Sequence, residues 1–399
     1  MDDVSVRPRL LVLTSTYPRW RGDPEPAFVH ELTRRLTDHF EVMVIAPHAR
    51  GAATEENLDA VRVRRYRYAP ECCETLVNDG GILSNLRRFP WKWLLVPPFL
   101  GAQWWATRKA VRHFQPQVIH AHWLLPQAAI AVRFATHVRV LATSHGADLF
   151  GLRGPLASWL RRRVLDRISS LGVVSEAMRR WVLFEAPHAP VQVLPMGVDC
   201  DHVFRSPAGD RATDTLLFVG RLVKKKGLIH LIESLPMVLE THPDTKLEVV
   251  GFGPEREVLQ QRVEELGLTR QVLFHGALPQ EKLPAHYGRA TLFVAPFVED
   301  GHGDQEGLGL VVAEAMACGC PVLVGDVAGV RDLVDGGAGE ITDVRDHRIL
   351  AATIVALLRD QGRRAGMAAA GQAKVRQLYS WPVVAERYAR WLLAWAQGG

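Results

Sequence analysis

The second half of the chain contains a basic turn whose residues suit binding of a phosphorylated ligand. This turn runs from Gly220 to Gly227 (GRLVKKKG), between a predicted strand and a predicted helix. Glycine lets the backbone turn tightly, the helix N-terminus attracts an anion, and Arg221 and Lys226 offer charge-assisted hydrogen bonds to phosphate oxygens. The GxxxxGK[ST] pattern of a Walker loop is absent from it. The turn therefore predicts a phosphate site of another kind, with a solvated basic turn as the alternative.

A second loop, downstream of the basic turn, carries two carboxylates. Glu306 lies in the loop, and Glu314 lies eight residues later, two turns into the predicted helix Leu308–Cys318. Glu314 shares a helix face with Leu310, on the loop side of the first turn. A diphosphate would repel both carboxylates, so we expect them to accept hydrogen bonds from sugar hydroxyls, with a surface acid and a helix-dipole partner as the alternative. The backbone groups free to approach a phosphate there are those of Gly307, Leu308, Gly309, Leu310 and Val311.

Alternating strands and helices must position these loops. Such alternation predicts parallel sheets with right-handed crossovers, in which ligands bind beyond the carboxyl ends of the strands. The pattern runs through the first half of the chain and then restarts, which predicts two doubly wound domains. The predicted strands are Arg9–Leu13, Val42–Ala46, Val118–His120, Val138–Thr143 and Leu171–Val174, followed by Thr215–Val219, Lys246–Val250, Val272–His275, Thr291–Ala295 and Pro321–Val324.

The turn-rich segment Pro195–Pro207 marks the expected boundary between the domains. The sequence thus predicts an N-terminal domain over residues 1–198 and a ligand-binding domain over residues 199–380. The segment Trp381–Trp395 has aromatic and apolar residues at spacings of three and four, which predicts a helix. We expect this C-terminal helix, within residues 381–399, to pack back on the N-terminal domain.

Length and composition are those of an ordinary globular protein with two domains. The chain has 399 residues, 48% hydrophobic and 23% charged, and five irregularly spaced cysteines. The odd cysteine count and an N-terminus unlike a signal peptide favour a reduced, cytoplasmic protein. Cys318 and Cys320 lack the second pair that a zinc site of this kind needs, so no metal site is expected.

The net charge of +5 conceals an asymmetry between the two halves. Residues 1–198 contain 26 Lys and Arg against 17 Asp and Glu, whereas the remainder contains 22 against 26. A basic N-terminal half indicates an anionic neighbour, either a membrane surface or an acidic acceptor, with a solvated basic surface as the alternative. Nucleic acid is not expected, because the basic residues are dispersed and no recognition motif is present.

The motifs together resemble those of one enzyme family. Gly220-Arg221…Lys226-Gly227 and Glu306-x7-Glu314 are similar to the motifs of the retaining GT-B glycosyltransferases of family 4 (group 1). Further similarities extend through most of the chain, with Met196 standing where the family usually has Asn, and with Gly22 alone in place of a glycine-rich early loop. These further segments are His120–Pro126, Ser144–Leu149 (SHGADL), Val174–Met178 (VSEAM) and Leu194–Asp199 (LPMGVD).

This resemblance implies an α/β GT-B fold, with two Rossmann-like domains facing across a cleft, and a hexosyl transfer that retains the anomeric configuration. It implies that Arg221 and Lys226 bind the diphosphate of a UDP-, GDP- or ADP-sugar, so that no metal is needed. Glu306 would hold the transferred sugar, Glu314 the ribose, and His145 the sugar from the other domain. His120 and His122 would be structural or acceptor-side groups. The nucleobase pocket would be shaped by the loops containing Gly251, Gly253, Phe274 and His275.

Other functions remain open at this stage. A sugar-nucleotide epimerase, a phosphorylase and a catalytically silent donor-binding subunit are compatible with the same architecture, because a fold does not prove turnover. A dinucleotide oxidoreductase is poorly supported, since no GxGxxG follows the first strand. The donor base, the sugar, the acceptor, the linkage and the oligomeric state cannot be read from these motifs.

One segment of the first domain combines tryptophans with cations. Arg87–Val96 contains Trp91 and Trp93 beside three basic residues, and prolines interrupt it. This pattern predicts attachment to an anionic membrane on its cytoplasmic face and a glycan or lipid-linked glycan as acceptor. In the segment that follows, Phe99–Phe114, the sequence indicates an apolar stripe of Leu100, Trp104, Val111 and Phe114, which we expect to face the core, with a membrane-facing stripe as the alternative.

Overall fold

The computed structural model of the chain describes residues 7–23, 25–78, 81–205, 211–301 and 303–397. Pro24 lies outside the described residues, and so do Ser206 and Pro207 of the predicted boundary segment. Residues 1–6 of the predicted N-terminal domain and residues 398–399 of the predicted C-terminal helix segment lie outside them as well. The chain folds as two units. Unit 1 comprises Met1–Pro195 and Val384–Gly399, and unit 2 comprises Met196–Val383.

Unit 1 is built on a sheet whose central strands are almost entirely buried. In its described part the strand order is β3-β4-β2-β1-β5-β6-β7-β8, and every neighbouring pair is parallel except β3 with β4. Continuous apolar runs such as RLLVL suit strands covered on both faces. The strands are β1 (Arg9–Leu13), β2 (Glu41–Pro47), β3 (Glu55–Leu58), β4 (Val61–Tyr66), β5 (Val118–His122), β6 (Arg139–Ser144), β7 (Ser170–Val173) and β8 (Val191–Val193).

The helices of unit 1 connect these parallel strands. The longest, of 19 residues, leads into the central strand β5, and the amphipathic first helix joins β1 to β2. The helices are α1 (Phe28–Leu36), α2 (Ile82–Arg88), α3 (Val96–Phe114), α4 (Ala129–Ala131), α5 (Ala147–Phe150), α6 (Pro155–Leu165) and α7 (Glu176–Glu185).

Unit 2 repeats the doubly wound design. Its sheet has the order β11-β10-β9-β12-β13-β14 in the described residues, and all of these strands are parallel. Two parallel-sheet α/β units confirm the predicted fold class. The strands are β9 (Thr215–Val219), β10 (Lys246–Val250), β11 (Val272–Gly276), β12 (Leu292–Ala295), β13 (Val322–Gly325) and β14 (Glu340–Thr342).

The helices of unit 2 enclose one apolar core with these strands. Leu216, Leu231, Val249 and Ile354 are among the core side chains with no exposed surface. The helices are α8 (Leu228–Leu239), α9 (Arg256–Glu265), α10 (Leu283–Arg289), α11 (Leu310–Ala317), α12 (Arg331–Val334), α13 (His347–Arg359) and α14 (Gln361–Leu378).

The last helix, α15 (Trp381–Ala396), begins in unit 2 and continues in unit 1. Two of its aromatic side chains hydrogen-bond within unit 1. The Tyr388 hydroxyl donates to the Leu194 carbonyl at 2.9 Å, and the Trp391 indole donates to the Ser170 hydroxyl at 3.1 Å. Buried Tyr and Trp need such partners for their polar atoms.

Helix α3 differs from the sequence-based expectation. The predicted core stripe is wrong, because Leu100 and Trp104 are each 37% exposed and only Phe114 of the stripe is buried. The face that packs on the sheet includes Thr107 and Ala110, which are small enough to let the helix approach the strands. The bulky tryptophans consequently face solvent.

Four strands were not predicted from the sequence. Strand β3 is short and acidic, β4 alternates valine with arginine, and β8 and β14 have only three residues each. Within the described part of the chain, none of the helices combines the length and the apolar character that crossing a bilayer demands.

Candidate active site

In unit 2 the loops that follow β9 and β10 are joined by backbone hydrogen bonds. The Gly220 amide donates to the Val250 carbonyl at 3.0 Å, and the Leu222 amide donates to the Phe252 carbonyl at 2.8 Å. A Cβ on Gly251 would lie 1.8 Å from the Gly220 carbonyl oxygen, so only glycine permits this approach. The same holds for Gly253, whose Cβ would lie 2.4 Å from the Leu222 carbonyl oxygen. The predicted glycines of the two loops therefore lie together at the carboxyl ends of adjacent strands.

The basic turn also contacts the loop after β12. Gly227 ends the 3₁₀ turn Lys224–Lys226 with φ of +67°, and a Cβ there would lie 1.8 Å from the Pro296 carbonyl oxygen. Both the left-handed conformation and the close approach require glycine. The turn is thereby held beside the segment that leads to Glu306.

Lys226 and Glu306 form an ion pair in this position. Their side chains are 11% and 19% exposed, and Lys226 Nζ lies 2.8 Å from Glu306 Oε2 and 4.3 Å from the centre of the Phe297 ring. Burial by itself would raise the pKa of Glu306, but the charges of Lys226, Lys225 and Arg221 lower it to about 2. Glu306 is accordingly ionised at neutral pH, and the pair places one cation and one hydrogen-bond acceptor side by side.

A second ion pair lies next to the first, and the sequence did not single it out. Lys225 Nζ lies 3.1 Å from Asp304 Oδ1, with both side chains largely buried. The Lys225 carbonyl also accepts a hydrogen bond from the Val298 amide at 3.0 Å. Two features of the sequence could have indicated this pair. Three consecutive lysines, Lys224–Lys226, lie in the basic turn, and three acidic or amide residues, Asp304, Gln305 and Glu306, lie in the loop after β12. Lys225 thus helps to fix the loop that carries Glu306.

Glu314 lies on α11 in an environment that favours its neutral form. The Tyr287 hydroxyl donates a hydrogen bond to Glu314 Oε2 at 3.1 Å. Burial raises the pKa of Glu314 to about 7, against the lowering effects of Tyr287 and Lys226. The sequence did not predict Tyr287 as a site residue, because it lies on α10, 27 residues away in the chain. A carboxyl poised near neutral pH, with a donor on one oxygen, can exchange hydrogen bonds with hydroxyl groups.

The N-terminus of α11 is open for an anion. Gly309 precedes the helix with φ of +80° and has no side chain to cap the amides of Leu310 and Val311. A Cβ on Gly329 would lie 2.1 Å from the Glu306 carbonyl oxygen, which shows how tightly the backbone of Glu306 and Gly307 is held. The uncapped amides and the helix dipole favour an anion at this end of α11.

The two residues predicted for the nucleobase pocket on β11 have different environments. Phe274 is half-buried against the core of unit 2. The His275 side chain is directed at Glu248 of β10, with Nε2 3.3 Å from Glu248 Oε2. The His275 imidazole therefore faces a carboxylate of the neighbouring strand.

In unit 1, three histidines lie together at the ends of β5 and β6. His122 Nδ1 and His145 Nε2 are 2.9 Å apart, and the two rings stack with an interplanar angle of 10°. His120 Nε2 lies 2.8 Å from the Thr143 hydroxyl. Burial lowers the pKa of both His120 and His145 to about 3, so both imidazoles are neutral at physiological pH. Neutral imidazoles donate or accept hydrogen bonds without adding charge.

The loop that joins His145 to α5 is braced by Asp148. Its carboxylate accepts a 2.6 Å hydrogen bond from the Ser144 hydroxyl and another of 2.6 Å from the Leu124 amide. Trp123, whose ring lies 4.9 Å from that of His145, has the unusual φ of +76°. Strain of this kind persists where the surroundings enforce it, which is typical of functional loops.

Gly22, the predicted donor-loop residue of unit 1, lies in a turn near the start of the chain. It is exposed, has φ of +77°, and a Cβ there would meet no atom within 4 Å. Its neighbours Arg19 and Asp23 form a two-fold ion pair, with Arg19 Nη2 2.6 Å from Asp23 Oδ1. The glycine therefore serves a tight turn that this pair closes.

Sequence comparisons place both halves of the chain in related families. Residues 27–202 match the family described as Glycosyltransferase Family 4, and residues 204–374 match the family described as Glycosyl transferases group 1. The two matches together include His145 of unit 1 and Lys226, Glu306 and Glu314 of unit 2.

Individual relatives and solved structures agree with these families. The GDP-mannose-dependent alpha-(1-6)-phosphatidylinositol monomannoside mannosyltransferase of Mycolicibacterium smegmatis is 30% identical over 96% of this chain and 98% of its own. The glycogen synthase of Mycobacterium tuberculosis is 30% identical over 72% of this chain and 71% of its own. The structure of sucrose-phosphate synthase from Thermosynechococcus elongatus, 20% identical, covers 98% of this chain and all of its own with a TM-score of 0.79, which supports the GT-B fold.

The site geometry and these similarities lead to one assignment. The loops of unit 2 bring cations, carboxylates and a helix N-terminus without a side-chain cap to one edge of the sheet. The chain belongs to the group 1, family 4 glycosyltransferases and is an enzyme that transfers a sugar from a nucleotide-sugar donor.

Proposed function

We propose that this enzyme transfers mannose from GDP-mannose to a phosphatidylinositol-based glycolipid, with retention of the anomeric configuration. The observation that carries the proposal is the similarity to the Mycolicibacterium smegmatis mannosyltransferase, which extends over 96% of the chain. Unit 2 would hold the donor and unit 1 the acceptor, in agreement with the basic character of the N-terminal half.

The arrangement of unit 2 supports a division of labour around the donor. Lys226, Arg221 and the first amides of α11 would bind the diphosphate and stabilise the negative charge that develops as the anomeric C–O bond breaks. In this role the cations do what Mg²⁺ does in many other enzymes of nucleotide chemistry. Glu306, already ionised beside Lys226, would accept hydrogen bonds from the hydroxyls of the transferred sugar. Glu314 would bind the ribose.

The absence of a nucleophile and base pair from the motifs supports transfer on one face of the sugar. The acceptor hydroxyl would form the new bond on the face from which the diphosphate leaves, and a phosphate oxygen of the leaving group would take its proton. For His145 we propose a contact with the transferred sugar, because its neutral imidazole is held by His122 and the loop around it is rigidly braced. A neutral donor suits a sugar hydroxyl better than an imidazolium, which would compete for the diphosphate.

The surface of unit 1 supports a membrane-bound acceptor. The 3₁₀ turn Pro90–Leu95 and the start of α3 present apolar side chains to solvent, with Arg87 and Arg88 exposed beside them. Lys92, predicted as a third surface cation, is buried and donates to the Thr75 carbonyl and to Asn85 Oδ1, so it takes no part. We define this aromatic surface by its exposed side chains Trp91, Trp93, Leu94, Leu100, Trp104 and Trp105.

Peripheral attachment of this aromatic surface to the anionic cytoplasmic leaflet would bring a lipid-linked acceptor to unit 1. Tryptophan rings occupy the membrane interface well, and neighbouring cations are attracted by anionic headgroups. Arg108 lies over the Trp104 ring at 5.4 Å, so the cation and the ring occupy the same patch of surface.

The proposal is tested by a transfer assay that crosses donors with acceptors. GDP-mannose, UDP-glucose and ADP-glucose are each incubated with a phosphatidylinositol monomannoside in mixed micelles and with glycogen. We expect transfer only for GDP-mannose with the lipid, and an α-linkage in the product by NMR. Hydrolysis or epimerisation of the donor without any acceptor dependence would contradict a transferase.

A second candidate is elongation of an α-glucan. It is favoured by the similarity to the Mycobacterium tuberculosis glycogen synthase, which has the same 30% identity but covers 72% of the chain. Transfer of glucose to glycogen in the same assay would establish this candidate. The exposed aromatic surface of unit 1 favours the lipid, because a soluble polysaccharide gives no reason for exposing it.

A further inference from the structure

Three side chains of unit 2 that have no part in the proposed chemistry converge on one point. Glu248 lies on β10, His275 lies on the neighbouring strand β11, and His286 lies on α10. His275 lies at an irregularity of the β10–β11 pairing, between Phe274 opposite Val249 and Gly276 opposite Val250, and its side chain is directed at Glu248. One ligand atom from each of the three lies within 4.8 Å of the others.

The separations of these atoms suit tetrahedral coordination. Glu248 Oε2 lies 2.8 Å from His286 Nδ1 and 3.3 Å from His275 Nε2. Zinc binds imidazole nitrogen and carboxylate oxygen at about 2.0–2.2 Å, and a tetrahedron with such arms has edges of roughly 3.3 Å. The carboxylate and both imidazoles could therefore coordinate one ion after small side-chain movements.

Two further observations at Glu248 and His275 favour a ligand at this point. Arg289 donates to Glu248 Oε1 at 3.0 Å, which orients the carboxylate and leaves Oε2 for the histidines. His275 Nε2 is a buried atom with no hydrogen-bond partner, although it faces Oε2. A buried polar nitrogen without a partner is costly, and a metal ion would supply the missing bond.

We propose that Glu248, His275 and His286 form a binding site for a divalent transition-metal ion, with zinc as the best-matched ion. Two imidazoles and one carboxylate are a donor set that zinc accepts, with a water molecule in the fourth position. The ion would tie β10, β11 and α10 together. Because Tyr287 follows His286 on α10 and donates to Glu314, the site would also steady the environment of Glu314.

This role is structural and lies outside the diphosphate chemistry of the proposed function. It uses the side chain of His275, which the sequence assigned to the nucleobase pocket, and it does not involve Lys226 or Glu306. Its test therefore measures metal binding rather than sugar transfer. The metal site and the proposed transferase function can each fail without the other.

A second group of similar composition offers a matched control. His230 and Glu233 of α8 meet His347 of α13, with 3.3 Å between His230 Nδ1 and His347 Nε2 and 3.2 Å between His347 Nε2 and Glu233 Oε2. There the facing imidazole nitrogens already form a hydrogen bond with each other. The His347 side chain is also 32% exposed, whereas the side chains of Glu248, His275 and His286 are 16–23% exposed. We therefore expect this second group to bind metal more weakly or not at all.

The experiment is titration of chelator-treated full-length protein with Zn²⁺ by calorimetry, and with Co²⁺ by visible absorption. We expect the wild type to bind one ion and Co²⁺ to show the intense bands of tetrahedral coordination. His275→Gln/His286→Gln should weaken this binding by at least about 100-fold, since loss of an outer-shell partner alone costs 10–100-fold. His230→Gln/His347→Gln should retain it.

Circular dichroism and melting of the metal-free variants establish that each is folded. If the double variant does not fold, His275→Gln alone serves, because this imidazole makes no hydrogen bond in the structure. The proposal is overturned if the wild type binds no zinc, or if folded His275→Gln binds as tightly as the wild type. It is overturned equally if binding is lost in the His230→Gln/His347→Gln control instead.

Discussion

Lys226 and Glu306 illustrate how single side chains in this enzyme are matched to one another. Each would be costly to bury alone, but together they keep both charges at a point where a diphosphate and a sugar would meet. Burial lowers the pKa of Lys226, and the neighbouring Glu306 carboxylate partly offsets that effect. Removing one member therefore affects both the ligand and the remaining partner.

Lys226→Ala and Arg221→Ala should each lower turnover by at least about 100-fold, because roughly 3 kcal/mol is the scale of one lost charge contact in the transition state. Steady-state kinetics with saturating donor measures this effect. Lys224→Ala, in the same turn but exposed, is the control and should stay within about threefold of the wild type. Wild-type turnover in both Lys226→Ala and Arg221→Ala would contradict the diphosphate assignment.

Glu306→Gln should nearly abolish transfer while leaving the affinity for the free nucleoside diphosphate within a few-fold. The reason is that the proposed partner of Glu306 is the sugar, and that the substitution leaves Lys226 free to bind phosphate. Calorimetric titration with GDP, beside a transfer assay, separates the two effects. An equal loss of GDP affinity would show that the sugar is not its partner.

Glu314→Gln should change how stability depends on pH. Burial raises the pKa of Glu314 to about 7 from the ordinary value of 4.5, so the wild type loses stability as pH rises through that interval. Glutamine does not ionise and escapes this loss. We expect the variant to gain about 1–3 kcal/mol relative to the wild type between pH 5 and pH 8.

This change is measured by urea unfolding of the ligand-free protein at both pH values. Glu257→Gln, at an exposed position of α9, is the control and should show the same difference at pH 5 and pH 8. No pH-dependent difference for Glu314→Gln would mean that Glu314 is ionised throughout.

At the scale of elements, the donor site depends on loops that follow parallel strands of one sheet. Because β9, β10 and β12 are neighbours, their carboxyl ends bring together segments far apart in sequence. Glycines at Gly227, Gly251 and Gly253 let three backbones come closer than any Cβ would allow. The rigidity of the site thus arises from contacts between loops, which helix and strand propensities do not encode.

Gly227→Ala should destabilise the protein by roughly 2–5 kcal/mol, the sum of a left-handed residue and an overlap with the Pro296 carbonyl. Gly267→Ala is the matched control, because Gly267 has φ of +69° but nothing within 4 Å of its Cβ position. That control should cost only about 1–2 kcal/mol. Denaturant unfolding compares the two, and equal losses would mean that the loop contact adds nothing.

At the scale of the whole molecule, charge and apolar exposure are unevenly distributed. The excess of basic residues lies in the N-terminal half, and so does the aromatic surface. Trp91 is 53% exposed, Trp93 59% and Leu94 79%, on the turn that follows the exposed Arg88 at the end of α2. Such side chains on one turn are unusual for a surface that contacts only water.

The full-length protein should co-sediment with anionic liposomes at low salt, and binding should fall as salt screens the basic residues. Trp91→Ser/Trp93→Ser should weaken binding at least about tenfold, because two apolar rings no longer enter the interface. Leu273→Ser, which alters an apolar side chain of unit 2 that is 56% exposed, should have little effect. A wild type that stays in the supernatant would exclude the membrane role of this surface.

Local pattern determined much of what the sequence alone could reveal. Strands β1, β9 and β10 occupy the predicted residues, because a short apolar run bounded by turn residues is a local signal. Lys226 and Glu306 were identified from residue type and position after a strand, and their 2.8 Å contact followed only with the fold. The fold class was likewise predictable from the alternation of strands and helices, and the glycosyltransferase activity from the resemblance of the motifs to those of one family.

Tertiary structure alone decided which side chains meet. Tyr287 with Glu314, Lys225 with Asp304, and His275 with Glu248 join residues on different elements, at separations that no helical or strand period connects. The buried face of α3 and the burial of Lys92 were also decided there, because packing selects among faces by shape as well as by hydrophobicity. The physical reason is common to all of them: a sequence specifies local conformation directly, whereas a long-range contact depends on every element between its two ends.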